Sequence, residues 1–441
     1  MMSGAQQGRL LHTLVRLGQA TRVLEIGCFT GYATLWMALG LRENGQLLSL
    51  ERDERCAEVA RRHLDASGVG EQVEIRIGDA LESLRSIDAQ DADPFDLVFI
   101  DADKKRCGQY FDLLVERGLL AEHTLILVDN VIWKGHVLDR LYADAADDSV
   151  LDALKGPERR SLLIRDSLHD FSLSLAADPR VRQFMLPLRD GLTWAQVGAE
   201  SWDDVQGVCT PKGATIASSD GAQVSGGVGV DLSADPRLPP YLELVGSAEP
   251  TCLAGLRREA EEAWPACSPR IGGALQGRLL HTLVRLARAT RVLEIGCFTG
   301  YATLWMALGL RENGQLLSLG RDERCAEVAR RHLDASGVGE QVEILIGDDG
   351  LHSIQQASHD LVVWHCSEWP DAPIETLVGH LAAHGVLVIV QPPEKVFDGG
   401  EQLHAALAAH TMADNGALKT VSIPAPDGSG GIISFVSPSK H

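Results

Sequence analysis

No CxxC pair occurs among the nine cysteines of this chain. Their one regularity is recurrence: Cys28 and Cys56 return as Cys297 and Cys325. Thiols scattered in this way argue against a disulfide framework or a zinc site and for a reducing compartment. No apolar run reaches the ~18 residues of a membrane-spanning helix. The opening stretch MMSGAQQGRLLHTL has no basic segment followed by an apolar one. A cytoplasmic location without a membrane partner is therefore expected. Positive charge is also short, with 40 Lys and Arg against 61 Asp and Glu, a formal net charge of -21. Non-specific nucleic-acid binding needs basic side chains to displace counterions. A nucleic-acid partner is disfavoured, and a small or neutral substrate fits better.

What is present is an ordinary globular composition, 45% hydrophobic and 23% charged over 441 residues, enough for two domains each with its own core. An internal repeat organises the chain. Residues 7–79 return at 276–348 with four changes: Gly18 to Ala287, Gln19 to Arg288, Glu51 to Gly320, and Arg76 to Leu345. A repeat of this length is a copied domain, not a solenoid unit. Past Asp79 the halves diverge abruptly, as partial recopying would leave them. The Gly-, Ser- and Ala-rich stretch 199–237 reads as a flexible linker. The expected domains are thus 1–198 and 238–441, and Pro239 to Pro269 reads as two short helices with no counterpart before the first copy.

Within the first copy, short apolar strands alternate with helical patterns: RVLEIG, QLLSLE, VEIRIGD, FDLVFID and TLILVDN, the first four each followed by a helix. That alternation predicts an α/β fold with a doubly wound parallel sheet. VRQFMLPLRDGLTWAQV, with Asp190-Gly191 at its turn, predicts a closing hairpin. Five parallel strands and a hairpin make seven.

Four strand ends carry candidate chemistry. Glu25-Ile-Gly27-Cys28-Phe-Thr-Gly31 follows the first strand, and glycines there let the backbone approach a ligand closely. The spacing is not the G-x-G-x-x-G of dinucleotide binders, and a plain tight turn is the structural alternative. Glu51 ends the second strand, where a carboxylate can accept from ribose hydroxyls; a solvated strand end is its alternative. Asp79-Ala80 follows the third strand, within reach of an adenine, although Asp there also serves as a helix N-cap. The sharpest signal is Asp101 at the end of FDLVFID together with Asp129-Asn130 at the end of TLILVDN. Two carboxylates and an amide on neighbouring strands suit a hard cation, Mg²⁺ first, with Ca²⁺ and Mn²⁺ as alternatives. Two separate helix caps are the competing reading.

Taken in order, EIGCFTGYA, GDA, DADKK, DNVIWKG and DPRVRQFMLPLRDGLTWA resemble the cation-dependent caffeoyl-CoA and catechol O-methyltransferase-like family, over essentially residues 3–197. The resemblance implies two tandem seven-stranded, Rossmann-like S-adenosylmethionine (SAM) methyltransferase domains, the second degenerate. It implies a metal on Asp101, Asp129 and Asn130. Glu25, Gly27, Cys28, Gly31, Glu51, Asp79, Ala80 and Asp103 would line the SAM site, with Ser3 a weaker candidate. Lys104 would stand as base beside Asp101, and Trp133 and Lys134 would meet a small aromatic hydroxyl substrate. The sequence departs from the family at Ala33, Glu51, Lys134 and Phe171-Ser172. The family also implies pairing of subunits, here as an intramolecular pseudo-dimer or a homo-oligomer.

The second copy keeps Glu294, Gly296, Gly300 and Asp348 but loses Glu51 to Gly320. HDLVVWHCSEW puts His365 at the metal aspartate and Glu368 at Lys104, while GVLVIVQPPEK puts Val390 or Gln391, then Gln391 or Pro392, at Asp-Asn. This half reads as catalytically inactive, structural or regulatory. Competing classes for the whole are a non-catalytic SAM-binding or interaction protein and an NAD-dependent oxidoreductase; the spacing of the first turn and the Asp/Asp-Asn rim oppose the latter.

Overall fold

A computed structural model describes residues 4–88, 93–143, 148–198, 235–347, 358–366, 374–392, 418–424 and 432–438. Ser3, the linker over 199–234, Asp348 and Glu368 lie outside the described residues. The chain divides into two compact units, and each takes a segment from the other half of the sequence. Helix α1 (Ala5–Leu17) counts with unit 2. Unit 1 contains β1 (Arg22–Ile26), α2 (Tyr32–Ala38), β2 (Gln46–Glu51), α3 (Glu54–Ala66), β3 (Val73–Ile77), α4 (Ala80–Ser86), β4 (Phe95–Ile100), α5 (Cys107–Glu116), β5 (Leu120–Asp129), α6 (Asp148–Ala153), α7 (Pro157–Ala177), β6 (Val181–Leu186), β7 (Leu192–Val197) and α8 (Leu238–Val245).

The unit 1 sheet runs β3-β2-β1-β4-β5-β7-β6, parallel from β3 through β5 and antiparallel at β7 and β6. The seven-stranded α/β sheet expected from the sequence is present. Every residue of β4 is buried, which explains the apolar run Leu97 to Ile100: a central parallel strand has helices on both faces. Strand order reverses between β1 and β4, so ligands are expected at the carboxyl ends of those strands. Helix starts are fixed locally. Asp53 caps α3 by accepting from Arg55 N, and Asp79 caps α4 by accepting from Leu81 N.

Unit 2 contains α9 (Thr251–Ala263), α10 (Ala274–Leu286), β8 (Arg291–Ile295), α11 (Tyr301–Ala307), β9 (Gln315–Gly320), α12 (Glu323–Ala335), β10 (Val342–Ile346), β11 (His359–His365), β12 (Leu381–Gln391), β13 (Leu418–Pro424) and β14 (Ile432–Pro438). Its sheet repeats the order, β10-β9-β8-β11-β12-β14-β13.

The exchanged segments depart from the boundaries 1–198 and 238–441. Within unit 2, α1 buries Leu10, Leu11, Leu14, Val15 and Leu17, and Arg16 donates to Ala383 O at 3.1 Å. Within unit 1, α8 buries Leu238, Tyr241, Leu242 and Val245. Ser247, just past α8, accepts from Gln183 N at 2.7 Å, while its own N–H donates to Gln183 O at 2.9 Å. Amphipathic spacing tells a helix to bury one face and does not name the surface that takes it. Of the two short helices read in Pro239 to Pro269, α8 joins unit 1 and α9 stays in unit 2.

Candidate active site

The turn after β1 is closed by contacts within the chain. Gly27 has φ +106°, and a Cβ there would lie 2.5 Å from the Asp101 carbonyl oxygen. Gly31 has φ +83°, with a Cβ position 2.7 Å from the Ala60 Cβ. Both glycines are thus required by the turn itself. Cys28 is buried beside Thr34 Oγ1 at 3.4 Å, and burial pushes its thiol up to about 12, far from a reactive thiolate. Glu25 has no exposed surface. Its Oε2 accepts from Thr34 Oγ1 at 2.6 Å and Ser49 Oγ at 2.5 Å, whereas Oε1 is buried without a partner. Burial raises this carboxyl to about 7, against the two hydroxyl bonds and aided by the charges of Asp101 and Glu51.

At the end of β2, the Glu51 carboxylate is gripped by main-chain N–H groups: Phe29 at 2.6 Å, Arg52 at 2.9 Å and Asp53 at 2.8 Å. A carboxylate offers about four acceptor positions, which leaves room for roughly one more donor. Asp79 does cap α4, and its Oδ2 also takes Arg106 Nη1 at 2.7 Å, the main cause of a pKa below the usual carboxylate range. Asp103 caps the next turn by accepting from Lys105 N at 3.2 Å and stands 3.9 Å from Arg106 Nε. Arg106, which the sequence reading passed over, therefore bridges the acids after β3 and β4. Ala80 opens α4 directly beside Asp79.

Strands β4 and β5 run in register, Ile100 opposite Val128. The next residues are Asp101 and Asp129, on strands about 4.8 Å apart, so the structure brings the two carboxylates to one rim. Asn130 follows with φ +58°, and its N–H donates to Asp129 Oδ1 at 2.8 Å. Lys104 Nζ reaches Asp101 Oδ1 at 2.7 Å and Asp129 O at 2.8 Å. Desolvation pulls the Lys104 pKa down, but the charges of Asp101, Cys107 and Asp129 outweigh it and leave the pKa raised. As placed, Lys104 is an ammonium that supplies the positive charge of the site. Among the described residues no group of three or more His, Cys, Asp or Glu is placed to hold a metal. A cation here would need the Asn130 amide as third donor, and an all-oxygen set of this kind suits a hard ion.

Beyond Asn130 the loop stays left-handed at Trp133 and Lys134, φ +50° and +59°. Trp133 Nε1 donates to Ser161 Oγ at 3.1 Å, and Lys134 Nζ lies 6.0 Å from the Trp133 ring centre. The loop is pinned by Asp190, buried, which accepts from Lys134 N through Oδ1 and from Ile132 N through its carbonyl at 2.9 Å. Burial raises the Asp190 pKa, and its Oδ2 has no partner. The sequence showed only an Asp-Gly hairpin turn; the long-range anchoring of the site loop had no local signature.

In unit 2, β11 and β12 pair His365 with Val390. Val390 thus stands at the position of Asp129 and Gln391 at that of Asn130, so both carboxylates are absent. His365 Nε2 instead lies 3.2 Å from Glu294 Oε1, the oxygen whose counterpart in Glu25 is unpartnered.

The O-methyltransferase family model matches residues 1–197 and 243–365. The chain is 40% identical over 158 residues to a catechol O-methyltransferase of Niastella koreensis, spanning 36% of this chain and 67% of that protein. It is 33% identical over 196 residues to a caffeoyl-CoA O-methyltransferase of Mesembryanthemum crystallinum, spanning 44% and 71%. Among solved structures it is similar to a Streptomyces achromogenes O-methyltransferase in complex with SAM, at 32% identity and a TM-score of 0.38, covering 45% of this chain and 82% of that one.

Proposed function

The chain belongs to the O-methyltransferase family, and from that premise we propose that unit 1 transfers the methyl group of SAM to a hydroxyl of a small catechol-like or phenolic acceptor, in a reaction that depends on a divalent cation. The observation that carries this reading is that Asp101 and Asp129 each follow the paired residues Ile100 and Val128, with Asn130 beside them and Lys104 in hydrogen-bond contact. Relatives named for catechol and caffeoyl-CoA support the acceptor class.

Asp101, Asp129 and Asn130 would hold the cation, Mg²⁺ first with Ca²⁺ and Mn²⁺ as alternatives, and a cation there lowers the pKa of an acceptor hydroxyl. Added positive charge also weakens the hold of the carboxylates on the Lys104 proton, the direction that a general base needs. Glu25 Oε1, buried and unpartnered, is an acceptor for the ammonium of the cofactor's methionine portion. Glu51 keeps about one acceptor position for a ribose hydroxyl, and Asp79, Ala80 and Asp103 frame the far side. Trp133 and Lys134, fixed by Asp190, form the acceptor side. Orientation of donor and acceptor then supplies several kcal/mol of the barrier reduction.

For unit 2, the His365–Glu294 contact and Val390 at the position of Asp129 favour a structural or regulatory role. The test is transfer from labelled SAM to a catechol panel with Mg²⁺, with and without chelator. Turnover is expected only with the metal. Asp129→Asn and Lys104→Met are each expected to lower it about 100-fold or more. Undiminished turnover in chelator would sink the cation dependence, and absence of transfer to every acceptor would sink the substrate class.

A further inference from the structure

One surface occurs twice in this chain, covered in unit 2 and left open in unit 1. Phe29, Tyr32, Leu35, Leu39, Arg62 and His63 have the same residue types as counterparts at Phe298, Tyr301, Leu304, Leu308, Arg331 and His332, inside the repeated stretch. In unit 2 the segment around α9 lies on these residues. Leu253, Leu256 and Ala260 share one apolar cluster with Tyr301 and Leu304, and the Trp264 ring meets that of Phe298 edge-on at 5.9 Å. Polar contacts complete the seat. Tyr301 Oη donates to Glu249 Oε1, while Glu259 accepts from Arg331 Nη2 at 2.6 Å and stands 2.9 Å from His332 Nε2. Tyr301 and Leu304 are thereby 3% and 0% exposed. In unit 1, Tyr32 and Leu35 are only half-buried, and Phe29 and Leu39 are 56% and 39% exposed. Among the described residues, the side chains of Tyr32, Arg62 and His63 make no hydrogen bond or ion pair.

We propose that this face of unit 1 docks an amphipathic helix of the α9 kind, supplied by a partner protein. Such a helix carries two apolar residues three positions apart, a small one a turn later, an acid beside it and an aromatic past its end, as Leu253, Leu256, Ala260, Glu259 and Trp264 do. Its apolar stripe covers Tyr32, Leu35 and Leu39, its acid meets Arg62 and His63, and its aromatic lies against Phe29. An apolar surface with a polar rim is the kind that takes up a helix laid on its apolar side. The occupant is not α9 of a second copy. Transfer of that helix would uncover one face for each face it covers, so the apolar area removed from water stays the same. Two equal seats against one helix of this pattern, among the described residues, leave a seat for a different chain. The docking does not depend on the activity assigned to unit 1.

The probe is a peptide of residues 249–265, locked as a helix by a lactam bridge between side chains at positions 258 and 262, both exposed in α9. It is titrated into the full chain by calorimetry. One equivalent is expected to bind, because α9 already fills the seat in unit 2. Arg62→Glu and Leu39→Glu, each at an exposed position, are each expected to weaken binding about 10-fold or more with little change in melting temperature. A peptide carrying Glu259→Arg is expected to bind the native chain more weakly and to recover affinity for the Arg62→Glu chain. Arg331→Glu, the same change in unit 2, is expected to leave the affinity as it was. No binding at millimolar peptide overturns the site, as does binding that Arg331→Glu weakens and Arg62→Glu does not. Self-association of the native chain that Arg62→Glu abolishes would give the face to a second copy and overturn the partner assignment.

Discussion

Glu25 concentrates the electrostatic tension of the site in one side chain. It is fully buried, two hydroxyls hold one oxygen, and the other oxygen has no partner. Because the folded pKa is raised from 4.5 to about 7, the folded chain binds this proton more tightly than the unfolded chain. Stability is therefore lost as pH rises from about 4.5 through 7, on the order of 3 kcal/mol at most. Glu25→Gln keeps the acceptor for Thr34 and Ser49 and removes the ionisation. In chelator, its melting temperature relative to the native chain is expected to climb between pH 5 and pH 8; a constant offset would refute this account. At this scale the sequence was legible where a residue's place follows from the end of a strand, as for Asp101, Asp129 and Asn130. It was silent where a group's place depends on distant neighbours, as for the Asp190 anchor of the loop at Ile132 and Lys134.

At the scale of elements, the opposite rim of each sheet is tied by one aspartate. Asp96 on β4 accepts from Thr21 N at 2.7 Å, Thr21 Oγ1 at 2.9 Å and Arg22 N at 3.0 Å, and meets His123 on β5 at 3.2 Å. Asp360 on β11 repeats the knot with Thr290, Arg291 and His384. Each knot fixes the relative start of three strands, and hence the register that sets Asp101 beside Asp129 at the far end of unit 1. Burial would raise the Asp360 pKa, but the His384 bond and the donors of Thr290 and Arg291 overcome it and hold the carboxyl at about 2. A depressed carboxylate pKa stabilises above the ordinary value of 3.8 and is lost as pH falls through about 2. Asp360→Ala is expected to cost about 2 kcal/mol in urea melts at pH 7, with the loss shrinking steadily below pH 4. The parallel sheet with its closing hairpin was readable from the alternating pattern, whereas these knots were not, because their partners lie about 70 residues apart.

At the scale of the whole molecule, the exchanged helices set what can be cut away. The transfer of α1 was not legible in the sequence, since α1 and α10 share the stretch QGRLLHTLVRL and a shared pattern cannot specify different neighbours. A fragment ending at residue 198 lacks α8, whose Leu238, Tyr241, Leu242 and Val245 are buried in unit 1. At about 1.5–3 kcal/mol per buried side chain, their loss is comparable to the whole margin of a typical domain. Fragment 20–198 is expected to unfold by circular dichroism well below 20–250; equal melting would show that α8 is dispensable. The same exchange turns scission into a different event from separation. A protease that severs the backbone between residues 198 and 235 leaves each unit built from both pieces, so the halves should elute together as a complemented heterodimer until denaturant parts them.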